Sequence, residues 1–133
     1  VTDRGSASVL TLGVIAVVLV LTVGLVVVGA VLRTRVEAAT AADAAALAAA
    51  PLTFYPFGSG AGPRAEAARF AALNGARLVD CDCAVDPSWE PRTVQVVVES
   101  RVHLPALPDI RVRASSRAEF VPALLLSPVV EPS

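Results

Sequence analysis

Hydrophobic and polar residues follow three rhythms along this chain. From Gly5 to Leu32 the sequence GSASVLTLGVIAVVLVLTVGLVVVGAVL is apolar or uncharged throughout. As an α-helix these 28 residues rise about 42 Å, more than the roughly 30 Å hydrocarbon thickness of a bilayer, which leaves slack for tilt. In lipid every backbone N–H and C=O must be paired within the segment, so a valine-rich run becomes helical there despite its modest propensity in water. The run therefore predicts a transmembrane helix over about residues 9–32. It is too long for a signal-peptide core, and its only A-x-A-like site, Ala48-Ala49-Ala50, lies far downstream, so an uncleaved anchor is expected over a cleaved signal or a buried core helix.

After Leu32 the rhythm changes without a break. Arg33, Arg35, Glu37 and Asp43 bring charge while alanine, the strongest helix former, carries the helix on to Ala50, where Pro51 ends it. Ala38, Ala41, Ala42, Ala45 and Ala49 recur at helical spacing, a stripe of small side chains that lets another helix approach closely. Residues 51–62, PLTFYPFGSGAG, read as a linker whose aromatics Phe54, Tyr55 and Phe57 dock on a membrane interface or on a small domain. Pro63 to Gly75 then has the marks of a three-turn helix: proline in its first turn, Glu66 near its positive end, and glycine just past its close.

The third rhythm has period two, the signature of strands with alternate side chains on opposite faces. Val79, Cys81, Cys83 and Val85 oppose Asp80 and Asp82. In the second segment Val94, Val96, Val98, Val102 and Leu104 oppose Thr93, Gln95, Glu99, Arg101 and His103. In the third Ile110, Val112, Ala114, Ala118 and Phe120 oppose Arg111, Arg113, Arg117 and Glu119. A three-stranded antiparallel meander, its greasy face covered by the 63–75 helix, is the simplest arrangement. The fold class is thus α+β: a long transmembrane helix within residues 1–50, a linker over 51–62, a small domain over 63–121 and a proline-bearing tail over 122–133.

Composition narrows the function more by exclusion than by assignment. The chain has 133 residues, 55% hydrophobic, which leaves room for one small core outside the span. Its net charge is −1, and its eleven basic residues, all arginine, are scattered, so no nucleic-acid or polybasic lipid-binding cluster is visible. Arg4 before the span against Arg33 and Arg35 after it is too small a difference to set a topology. The chain opens on Val1, which reads as an alternative start or a trimmed fragment.

No constellation for catalysis, cofactor or metal emerges, and no small-molecule substrate is implied. Cys81 and Cys83 form a C-x-C pair on a strand, where a bridge between residues two apart is awkward. They read as core thiols, with a strained or intermolecular disulfide as the alternative. His103 reads as a solvated histidine, and Asp80 with Asp82 as a surface pair.

The residues DRGSASV at 3–9, the apolar span, Arg33-Thr34-Arg35 and the run AADAAALAAA at 41–50 together resemble the N-terminal region of TadE/TadG-like pilus-assembly proteins. The short actinobacterial branch, the helicase/secretion neighbourhood TadE-like proteins, is the most similar. The resemblance implies a minor pseudopilin-like component of a Tad/Flp-type pilus or secretion system, in hetero-oligomeric contact with other pilus components by helix packing. It implies a cytoplasmic N-terminus and an extracytoplasmic domain. It also implies prepilin-peptidase processing after Gly5, before Ser6. Family members with the full motif carry a glutamate five residues beyond that glycine, where this chain has Leu10. Two other readings stay open: a single-pass binding module or regulator with no pilus role, and a thiol redox protein using Cys81 and Cys83.

Overall fold

The protein is described by a computed structural model covering residues 4–54, 60–104 and 108–127, with side chains from residue 7 onward. Tyr55 and Phe57 lie outside the described residues, as do the side chains of Gly5 and Ser6. The chain divides between Arg33 and Thr34 into two compact units.

The first unit is the apolar part of helix α1, which runs Arg4–Ala49. Its large side chains are uncovered: Val14, Val17, Leu21 and Leu25 are all more than half exposed. Within this unit the helix is apolar on every side with its large side chains exposed, and it is long and apolar enough to cross a membrane. Two of its polar residues are satisfied locally. The hydroxyls of Thr11 and Thr22 donate to the carbonyls of Ala7 and Val18, one turn back, both at 2.8 Å. Neither leaves an open hydrogen-bonding group for the bilayer.

The second unit holds the charged end of α1 and the α+β domain: helix α2 (Pro63–Leu73) and strands β1 (Arg77–Asp82), β2 (Arg92–Val102) and β3 (Ile110–Phe120). The strands form an antiparallel sheet in the order β1-β2-β3, the expected meander. One core unites Ala41, Ala42, Ala45, Ala46, Ala49 and Ala50 of the α1 end with Ala67 and Ala71 of α2 and with Val94, Val96 and Val98 of β2. The sequence assigned the cover of the greasy face to the 63–75 helix alone. In the fold the end of α1 shares that work, its alanines joining α2 and the valine ladder in one core. Each buried valine contributes about 1.5–3 kcal/mol.

Helix α2 closes as its sequence asks. Gly75 sits at φ 72°, the amide of Ala76 reaches the carbonyl of Ala71 at 2.9 Å, and that of Gly75 reaches Ala72 at 3.1 Å. This pair of bonds is a Schellman closure, with Ala76 and Ala71 both buried as its apolar contact.

Strand β1 departs from simple alternation. Its register to β2 shifts between Leu78 and Asp80, a bulge that inserts Val79. Leu78, Cys81 and Cys83 therefore pack on the core, while Val79 is only half-buried and Val85 is exposed. The face expected to hold Val79, Cys81, Cys83 and Val85 together is split by that one extra residue. The alternation read in β2 and β3 places Val94, Val96, Val98, Val102 and Leu104, and on β3 Val112 and Ala118, on the buried side.

Ala45 is fully buried in the shared core, so Ala45→Leu inserts three carbons into it. The expected loss is about 1–3 kcal/mol, read as a lowered midpoint in denaturant titration of the detergent-solubilised protein. An unchanged midpoint would show that the end of α1 does not pack on the sheet.

Candidate membrane anchor and interaction surfaces

Four local arrangements could carry function: the bare apolar helix, the linker clamp, the disulfide and the outer face of the sheet. The alanine stripe is not among them. Ala38, Ala41, Ala42, Ala45 and Ala49 are each 0% exposed, and the last four lie in the chain's own core. In this chain the stripe meets its own sheet and α2.

The described start of the linker, residues 51–54, is fastened to the domain. After Ala50 the chain makes a 3-10 turn, Pro51–Thr53, and Phe54 is 2% exposed. Its ring meets Trp89 edge-on at 4.9 Å between centroids and Phe120 at 6.2 Å. The Arg92 guanidinium lies over that ring, 5.7 Å from its centre. Arg92 also donates to four backbone carbonyls, those of Thr53, Asp86, Ser88 and Glu90. The Asp86 amide donates to the Thr53 carbonyl at 2.8 Å. One flat, multi-donor cation thus joins the end of α1, the loop between β1 and β2, and the start of β2. The sequence offered no sign of this role. Arg92 looked like one more scattered arginine after a proline, and its acceptors are carbonyls, which every residue has.

Asp86 stands below the usual carboxylate range, because the backbone N–H and then the hydroxyl of Ser88 donate to it. This is an Asx-type turn that shapes the loop carrying Trp89.

Cys81 and Cys83 are joined to each other, so both are half-buried members of a disulfide rather than free core thiols. In a flat strand residues two apart lie about 6.6 Å apart; here the two Cα atoms are 5.4 Å apart. The bridge is reachable because β1 ends at Asp82 and Cys83 has already left the pleat.

On the outer face of the sheet, Glu99 of β2 was expected among solvated polar residues. Its side chain is 1% exposed, roofed by two arginines from the neighbouring strands. Arg113 Nε donates to Oε2 at 3.2 Å and Arg77 Nη2 to Oε1 at 3.4 Å. All three occupy one cross-strand row, Arg77↔Glu99↔Arg113. The bond from Arg113 holds the Glu99 carboxyl below its ordinary value of 4.5, against the opposing effect of burial and with further help from Arg77. The sequence contains the signal, arginines at matching register, but only a pairing scheme makes it readable.

His103 is exposed yet not solitary, since its Nδ1 lies 2.7 Å from Asp109 Oδ1, across the connection between β2 and β3. Asp80 faces Arg64 at 3.9 Å, and its Oδ1 accepts from the Cys81 amide at 2.9 Å. Among the described residues no group of three or more metal-ligating side chains assembles. The surface pair and the histidine therefore stay apart.

The class these features define is a small, clamped α+β domain that follows an apolar helix of membrane-spanning length. Residues 5–51 match the family model described as Flp pilus-assembly TadE/G-like, and over that stretch the TadE-like resemblance holds. No curated protein and no solved structure matches the chain.

Two outcomes test these surfaces. Arg92→Ala should destabilise the domain by about 2–4 kcal/mol, read by the fluorescence of Trp89 during denaturation; Arg92→Lys should rescue only part, since an ammonium cannot span four carbonyls. Glu99 binds its proton less readily folded than unfolded, so its stabilisation is present above the ordinary value of 4.5 and is lost as pH falls through the lower folded value. Glu99→Gln should flatten the fall in stability below about pH 4.5. An acid limb of equal steepness in both proteins would show that Glu99 contributes nothing to it.

Proposed function

We propose that the protein is a membrane-anchored, minor-pseudopilin-like structural component of a Tad/Flp-type pilus or secretion apparatus. The single observation that carries the reading is the coincidence of the TadE/G-like match, residues 5–51, with a helix long and apolar enough to cross a membrane, whose large side chains from Val9 to Leu32 are exposed. Such a helix is held in a bilayer, where helix neighbours associate by close packing rather than by exclusion of water. The lateral partner surface is then the span itself, since the alanine stripe is occupied within the chain.

Orientation belongs to the same proposal: N-terminus in the cytoplasm, domain outside. The Cys81–Cys83 disulfide supports it, because disulfides persist in oxidising, extracytoplasmic compartments and are rare in the cytosol. Gly5 and Ser6 flank the junction at which a prepilin peptidase would act. Leu10 stands where the glutamate that joins pilin subunits would be, so the role proposed is that of an anchored component rather than a filament subunit.

A photo-crosslinking amino acid at Val17 or Leu21, in cells that make the whole apparatus, tests the reading. The expected adducts are with the membrane platform and other small pilin-like proteins. Adducts only with lipid and with proteins outside the apparatus would overturn it.

A further inference from the structure

The two edges of the sheet are treated differently. Strand β1 is short, six residues, and broken by the Val79 bulge. Its outward groups at Cys81 are already engaged, the amide by Asp80 Oδ1 at 2.9 Å and the carbonyl by Arg64 Nη1 at 3.5 Å. These are the devices that close an edge. Strand β3 has none of them. It runs eleven residues without proline or bulge, in unbroken register with β2 from Arg92↔Phe120 to Val102↔Ile110. Along its other side no backbone group is paired among the described residues.

The side chains beside that open edge are mostly basic, with Glu119 the one acid on that face of β3. Arg111, Arg113 and Arg117 stand exposed on the outer face of β3, and Arg101 of β2 lies directly across from Arg111. Two arginines opposite one another with no carboxylate between them repel. Glu99, buried beneath Arg113 and Arg77, answers those two and makes no bond to Arg111 or Arg117. On the inner face of the same strand Ile110 is still 38% exposed and Phe120 half-buried, so the apolar layer is unfinished at this edge.

We propose that β3 receives an extended segment of a different protein as a fourth strand, one that alternates acidic with small or apolar residues. Main-chain bonds along β3 hold the segment, carboxylates at every second position meet Arg111, Arg113 and Arg117, and the residues between them cover Ile110 and Phe120. A second copy of this chain fits poorly. Its β1 edge is closed, and its β3 offers one carboxylate against three arginines; pairing two copies about Ser115 would set Arg113 against Arg117 twice and Arg111 against Glu119 twice, so the charges would only balance, whereas an acidic segment would answer all three arginines. The inference concerns the domain alone and does not depend on the pilus reading.

The test uses the full chain in nanodiscs of zwitterionic phosphatidylcholine. Its probe is the fluorescent peptide Glu-Val-Glu-Thr-Glu-Val-Glu, followed by anisotropy. Binding is expected, and should weaken about tenfold or more when the same residues are reordered into an acidic block and an apolar block, because alternation is lost. Methylating the backbone nitrogens of alternate residues should abolish binding in one of the two phases and spare it in the other. Arg111→Glu with Arg117→Glu should remove binding while circular dichroism and the denaturation midpoint stay near those of the parent. Equal binding of the alternating and blocked peptides, or equal loss with both methylation phases, would overturn the proposal in favour of a diffuse charge effect. So would adsorption to anionic vesicles that the peptide fails to displace, or self-association of the chain through β3.

Discussion

The fold of the domain depends on one core, in which the alanine end of α1 joins α2 and the Val94, Val96 and Val98 ladder. Alanine contributes little apolar area, so its value here is to pack without bulk. Eleven of the eighteen buried apolar residues among those described are alanines, which makes this a thin core. A thin core needs fastening, and the rest of the domain supplies it. The Arg92 guanidinium gathers four carbonyls around Phe54, a disulfide closes the end of β1, and Glu99 draws its two neighbouring strands together under paired arginines.

The same helix serves two solvents, and its sequence changes where its surroundings change. Before Leu32 it is uncharged and uncovered; from Ala38 onward it is small-faced and buried on one side. A stripe that would suit a partner helix is thereby used inside the chain. What is left for neighbours is the lipid-facing surface of the span and, in the domain, the open side of β3.

Much of this was legible in the residues. The span, Pro51 as the stop of α1, Gly75 as the close of α2 and the antiparallel meander follow from backbone chemistry and period, which act locally. The parts that were not legible are those requiring knowledge of what lies across a gap. Alanine spacing tells that something small-faced packs there, and leaves open whether the partner is another helix or the chain's own sheet. Burial of Glu99 depends on register with Arg77 and Arg113, and the Cys81–Cys83 bridge depends on β1 ending one residue early. The Val79 bulge had no sequence mark, so Val79 was placed on the core face where Leu78 packs, while Cys81 and Cys83 were placed correctly.

In the role we propose, an apolar helix holds this clamped domain on the oxidising side of a membrane. Leu73, at the exposed end of α2, offers a direct probe, since the native cysteines are both bridged. In intact cells making Leu73→Cys, a membrane-impermeant maleimide should label the protein without permeabilisation, and carbonate washing should leave it in the membrane. Labelling only after the cells are opened, or release by carbonate, would contradict the account.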